Sequence, residues 1–246
     1  MRFDACAKIG QSYKGTAYLK ENYMQEMRKN GISKALIVVE KPLSYNIAEA
    51  NDYVEKVLKE DAEHFIGAVR VDPWNTEQTQ RELKERFKNP LFKAIYLNPW
   101  EENFQINREV IRPVLTYAQK EKKPVIVEAG YVWVSHITQI AEVAAEYPDV
   151  KFLMLNAAQM DLSGYTLTDV KHFMGKRKNL YLGTNSAVAA EWLVNLYRDS
   201  SPERILFCSN YPFFEVDLEC ARIELCYFTE EEKNEIFFKN AEKFFG

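Results

Sequence analysis

The chain has 246 residues, 47% of them apolar and 28% charged, with a formal net charge of −4. That balance predicts one soluble domain with a sizeable core, spanning residues 1–246. It excludes a basic nucleic-acid binder, since the short cluster Lys176, Arg177 and Lys178 reads as a solvated turn.

Eight short apolar runs recur at intervals of about 25 to 32 residues, at 2–7, 34–39, 65–71, 92–97, 124–127, 151–155, 179–182 and 204–208. A helix-like segment follows each, and the rhythm predicts an α/β fold, a single (β/α)8 TIM barrel, which typically takes about 250 residues. Residues 16–29 place Tyr18, Leu19, Tyr23, Met24 and Met27 on one helical face, stopped by Gly31. Pro113 suits the first turn of a helix carrying Leu115, Tyr117 and Ala118. Ser135 is a candidate cap of a helix through Ile137, Ile140, Ala141, Ala144 and Ala145 that ends at Pro148, and His136, which begins that helix near the mouth, reads as a surface or capping residue. Thr229 and Glu232 have capping-box spacing, and Ile236, Phe237, Ala241, Phe244 and Phe245 then form a stripe expected to pack against the barrel wall.

Residues 1–8 carry charge where a secretory leader would be apolar, and no run approaches the roughly 18 apolar residues of a membrane span. A cytoplasmic protein without membrane or nucleic-acid partners is expected. Cys6, Cys208, Cys220 and Cys226 show no CxxC pairing, which predicts reduced thiols.

The strand exits carry a pattern. Run 65–71 leaves through Asp72 and Pro73, run 92–97 through Asn98 and Pro99, and run 124–127 through Glu128, Ala129 and Gly130. Tyr147, Pro148 and Asp149 lead into the run that exits at Asn156 and Ala157. Pro202, Glu203 and Arg204 lead to Ser209, Asn210, Tyr211 and Pro212, and Asn240, Ala241 and Glu242 lie near the end. On these motifs, almost end to end, the chain resembles the amidohydrolase superfamily, in the amidohydrolase-related branch that includes the aminocarboxymuconate-semialdehyde decarboxylase-like proteins. The resemblance implies a barrel that hydrolyses or non-oxidatively decarboxylates a small organic molecule. It also implies a metal at the mouth, held by His-x-His after the first strand, His after the fifth, often His after the sixth, and Asp after the eighth. Here those positions read Cys6, Lys8, Glu128, Asn156 and Asn210, and none of His64, His136 and His172 matches.

A protonated lysine has no lone pair to give a cation, and an asparagine in place of aspartate removes the charge that would offset one. No ordinary catalytic metal and no cofactor are therefore expected, with Cys6, Glu128 and waters left as the one remaining, weak metal site. Residues two apart on a strand share a face, so Cys6 and Lys8 should both point inward, with Lys8 nearer the mouth and Glu128 beside it. Three readings are open for the set Cys6, Lys8, Glu128, Asn156 and Asn210. Lys8 could fill the metal's place in a closed ion pair with Glu128; Cys6, Lys8 and Glu128 could serve as thiol nucleophile, ammonium and carboxylate base; or Lys8 could form a Schiff base, which a nearby Glu128 opposes.

Aromatic residues crowd the same exits: Trp74, Trp100, Tyr131, Trp133, Tyr211, Phe213 and Phe214. With Arg70, Asp72 and Asn98 they are expected to bind a flat or apolar small molecule, Arg70 serving either as a carboxylate anchor or as a salt-bridged structural residue; the aromatics equally suit closing the barrel top or a subunit contact. The expectation is a divergent hydrolase or decarboxylase with a metal-free site; the alternative is a catalytically inactive barrel that binds a ligand or protein. The aromatic C-terminal segment is compatible with a homodimer.

Overall fold

Alternation sets the architecture. In the computed structural model, which describes residues 1–160, 165–187, 189–200 and 202–246, each apolar run becomes a strand with one face inward and one against helices. In chain order the elements are β1 (Arg2–Gln11), β2 (Ala17–Tyr18), α1 (Lys20–Lys29), β3 (Ile32–Val39), α2 (Ile47–Glu60), β4 (Phe65–Arg70), α3 (Thr76–Arg86) and β5 (Phe92–Leu97). There follow α4 (Arg112–Lys120), β6 (Val125–Val127), α5 (Ile137–Glu146), β7 (Phe152–Met154), α6 (Tyr165–Lys176), β8 (Leu180–Gly183), α7 (Ala190–Asp199), β9 (Ile205–Leu206), α8 (Val216–Glu224), α9 (Glu230–Asn234) and α10 (Asn240–Phe245). One sheet runs β2-β1-β3-β4-β5-β6-β7-β8-β9. All pairings are parallel except the short β1–β2 hairpin.

The sheet curls until its ends meet. Ala5 N donates to Phe207 O at 2.8 Å, Asn210 N to Cys6 O at 3.0 Å and Lys8 N to Tyr211 O at 2.7 Å, which joins β1 to the segment after β9. Asp4 latches this seam. Its carboxylate accepts from Tyr23 Oη at 2.6 Å, from the backbone N of Ser209 at 2.9 Å and of Cys6 at 3.2 Å, and from the Ser209 hydroxyl. Burial outweighs these bonds and pushes its pKa up to about 6.

Leu36, Val38, Ile66, Ala68, Ala94, Tyr96, Ile126, Leu153, Leu155 and Leu206 fill the interior, while Ile37, Val69, Ile95 and Val127 face the helical layer. Gly67 is required where β4 is squeezed: a Cβ there would lie 2.8 Å from Leu58 of α2 and 3.0 Å from Phe92 of β5. No helix among the described residues is long and apolar enough to cross a membrane.

Three local expectations are corrected. Residues 17 and 18 form β2, so α1 starts at Lys20, its Ncap Leu19 being 48% exposed; pairing with β1 wins over helical periodicity here. The cap of α5 is His136, in a capping box with Gln139, because the Ser135 hydroxyl is drawn inward to Glu128 O at 2.8 Å. The C-terminal stripe reaches beyond the wall: Phe244 and Phe245 join the interior cluster, the Phe245 ring tilted against that of Phe3 at the start of β1 with centroids 5.7 Å apart, so α10 plugs the barrel floor. The Thr229–Glu232 capping box forms as expected, and all four cysteines are free and buried.

Candidate functional site

At the C-terminal mouth, five strand exits converge on one carboxylate. Lys8 reaches inward from β1, and its Nζ lies 3.0 Å from Glu128 Oε2, just past β6. The same oxygen accepts from Tyr96 Oη of β5 at 2.8 Å. Oε1 accepts from Asn156 Nδ2, past β7, at 3.0 Å and from Asn210 Nδ2, past β9, at 2.9 Å. The two amides are themselves fixed: Asn156 Oδ1 accepts from Asn210 Nδ2 at 3.0 Å and from Asn185 Nδ2, past β8, at 2.7 Å. Asn156 and Asn210 both adopt positive φ, 60° and 50°, a conformation asparagine tolerates better than most residues. Gly130 lets the loop after β7 come close, since a Cβ there would sit 2.5 Å from Met160 N.

The electrostatics follow. Burial pulls the Lys8 ammonium down, but Glu128, Glu40 and Glu101 outweigh it, so its pKa stands above the ordinary lysine value. Burial pushes Glu128 up, and Lys8 with the two asparagine amides reverses that, leaving it below the usual carboxylate range. Both groups are charged at neutral pH. Among the described residues Glu128 is the single oxygen partner of Lys8 Nζ, whose other face lies 4.2 Å from the centre of the Phe213 ring.

Above this pair opens a cavity of about 270 Å³. Lys8, Glu128, Asn156, Asn210 and Asn98 form its polar base; Trp100, Tyr131, Phe213 and Phe214 form aromatic walls; Tyr13, Lys14, Glu101 and Met160 complete the rim. Trp100 and Tyr131 stack at 5.2 Å and 13°.

Of the expected catalytic set, Lys8, Glu128, Asn156 and Asn210 are thus brought together, and Cys6 is not. Its side chain is fully buried beneath the cavity in the interior cluster, and burial pushes the thiol well above its ordinary pKa, away from the reactive thiolate. Of the expected ligand contacts, Asn98, Trp100, Tyr131, Phe213 and Phe214 line the cavity, whereas Arg70, Asp72, Trp74, Trp133 and Tyr211 do not. Arg70 is fully buried, held by Glu101 and by Glu102 at 2.6 Å. Asp72 accepts from Trp74 N at 3.0 Å as a turn residue, and Trp74 Nε1 donates to Glu102 O at 2.9 Å. Trp133 is 76% exposed, and Tyr211 packs outward, 4.9 Å from Tyr23.

Tyr96, Asn185 and Glu40 were not singled out in the sequence. Tyr96 and Glu40 had a signal, since strict alternation puts Tyr96 inward with Ala94, and Glu40 inward with Leu36 and Val38. Glu40 is almost fully buried, neither carboxylate oxygen has a hydrogen-bond partner among the described residues, and burial raises its pKa. Asn185 sits on no periodic pattern.

The donor set does not fit a tightly held divalent cation. Among the described residues no three His, Cys, Asp or Glu side chains converge. Each oxygen of Glu128 already takes two donors, the asparagines turn N–H groups toward it, and the ammonium adds a like charge where a cation would sit.

A family model described as Amidohydrolase matches residues 37–246. No curated protein matches. Among solved structures, an uncharacterized TIM-barrel protein from Bordetella bronchiseptica aligns at a TM-score of 0.79 with 16% identity, covering 99% of this chain and 97% of that one. A 2,6-dihydroxybenzoate decarboxylase from Rhizobium aligns at 0.80 with 14% identity over 99% and 98%. A 5-carboxyvanillate decarboxylase from Novosphingobium aromaticivorans, complexed with manganese, aligns at 0.78 with 15% identity over 100% and 96%. At these identities the likeness establishes the (β/α)8 barrel.

Proposed function

The chain belongs to the amidohydrolase family, and from that premise we propose that it is a hydrolase or decarboxylase of a small planar organic molecule whose fixed positive charge is the Lys8 ammonium. The observation that carries this reading is the Lys8–Glu128 pair at the cavity base: the 3.0 Å contact holds the ammonium in place while Lys8 still lines the cavity. A buried, preorganised cation whose single oxygen partner among the described residues is Glu128 is suited to stabilise negative charge that develops on a bound carboxylate or carbonyl oxygen, because no solvent must reorganise around it. Trp100, Tyr131, Phe213 and Phe214 favour a flat ring. The decarboxylase names of two structural neighbours point to aromatic acids as the first compounds to try.

In this reading Glu128 is a positioning residue. With both oxygens doubly hydrogen-bonded and its pKa depressed, it is a weak proton acceptor, and its task is to hold Lys8. That saturation also favours a second reading, in which the barrel binds its ligand without turning it over.

The test is a screen of hydroxybenzoic acids, amides and esters with metal-stripped protein, followed by Lys8→Met assayed under conditions where circular dichroism shows it folded despite its lower stability. Turnover that survives metal removal and falls at least about 100-fold in Lys8→Met supports the proposal, since a single preorganised charge is worth roughly that much. Turnover that requires added metal, or is indifferent to Lys8→Met, overturns it. Saturable binding without turnover in any form selects the binding reading.

A further inference from the structure

The opposite end of the barrel holds a second feature. Lys93 at the start of β5, Lys122 and Lys123 just before β6, Lys151 just before β7, and Lys243 on α10 line one groove of about 760 Å³. Strands β5, β6 and β7 are neighbours in the sheet, so three successive strand entrances deliver lysines to one place.

These lysines differ from many others on the surface. Lys20, Lys29, Lys56, Lys59, Lys88, Lys120, Lys171 and Lys233 each stand within ion-pair distance of a side-chain carboxylate. Among the described residues none of the five groove lysines has such a partner, and Asp149 is the sole carboxylate side chain lining the groove. Lys93 Nζ donates to Gly246 O at 3.3 Å, the long end of a hydrogen bond. Burial first, and then the charge of Lys93, hold the Lys123 ammonium below the ordinary lysine value, with Glu121 opposing them. Lys122 also keeps a left-handed backbone, φ 51°, at a turn where glycine would be unstrained. Scattered solubilising lysines on an acidic protein would not be expected to converge, without acidic side-chain partners, around one concavity.

From this convergence of five lysines on one groove at the barrel floor, we infer that the floor binds a small polyphosphate anion. Lysines are compact point charges with three donors each, suited to several phosphate oxygens at once without the planar geometry arginine imposes. A triply or more highly charged anion would relieve the mutual repulsion of the cluster. A single phosphate, with less charge, would relieve it less.

Calorimetric titration of the full-length chain with inorganic triphosphate tests this, with orthophosphate as the comparison. The expected result is saturable one-site binding to triphosphate that weakens as salt rises. The exposed triple variant Lys122→Gln/Lys151→Gln/Lys243→Gln should bind about tenfold more weakly or worse at unchanged melting temperature, from three modest charge contributions. Lys56→Gln/Lys59→Gln on α2 should bind as the parent does. Absence of saturable binding, equal affinity for orthophosphate, or equal loss in the α2 variant overturns the inference.

Discussion

Lys8 Nζ and Glu128 Oε2 lie 3.0 Å apart inside the barrel mouth, the two side chains 2% and 5% exposed. So buried a pair is strongly interdependent: each charge is tolerable only because the other is there. Lys8→Met should therefore destabilise the fold by about 3 to 5 kcal/mol, the usual result of stranding one member of a buried pair. Lys8→Met/Glu128→Gln should recover much of that loss, since the amide that replaces the carboxylate keeps one oxygen for the Asn156 and Asn210 side chains. Urea denaturation of the four proteins in this cycle measures it; additive losses would show that the two residues are not coupled.

The pair should make stability flat across neutral pH, and Asp4 should tilt it. Glu128, depressed below 4.5, contributes stability that is present above that value and lost only as pH falls through its lower folded pKa. Lys8, raised above 10.5, contributes stability present below that value and lost only as pH rises beyond it. Asp4 is raised from 3.8 to about 6, so its contribution is full below 3.8 and is lost as pH rises through 6. Asp4→Asn removes that loss. Its stability relative to the parent should grow by up to roughly 3 kcal/mol between pH 4 and 7, read from urea midpoints. An unchanged difference across that range would mean Asp4 is not held protonated.

Cys6 should be inert. Buried and with a raised pKa, its thiol should resist iodoacetamide in the native protein at pH 8, and Cys6→Ser should leave any turnover essentially intact. Rapid native labelling of Cys6, mapped by mass spectrometry, would bring back the thiol nucleophile.

That residue marks where sequence reading reached its limit. Strand alternation carries enough information to place Lys8, Glu128, Asn156 and Asn210 at one mouth, because inward direction and depth follow from position along each run. How far down the cavity reaches does not follow: the order of Cys6 below Lys8 is legible, but the cavity is lined by Lys8 and does not extend to Cys6. Arg70 stood open between two roles for a related reason. Its inward direction was legible, but Glu101 and Glu102, which neutralise it from the loop after β5, come from no periodic segment. The short β2 was hidden because two residues cannot display a period. The seam through Asp4, Tyr23 and Ser209 joins residues up to 205 positions apart, which no local pattern encodes.

Asn210→Asp probes the other side of Glu128. It exchanges an N–H donor at 2.9 Å for a second carboxylate, leaving Lys8 to serve both. A loss of about 3 kcal/mol or more at pH 7 is expected, shrinking as pH falls and the two carboxylates come to share a proton. Urea midpoints at pH 5 and pH 7 check it; a variant as stable as the parent at pH 7 would show that the mouth tolerates added negative charge.

The central claim is that the ammonium of Lys8 supplies the positive charge at this mouth, and elemental analysis tests it most directly. Protein loaded with zinc, manganese or iron and then dialysed should retain far less than one ion per chain, with no change in melting temperature, because Glu128 is already committed to Lys8, Tyr96, Asn156 and Asn210. Retention of about one ion per chain, abolished by Glu128→Gln, would contradict the account and make Glu128 a metal ligand.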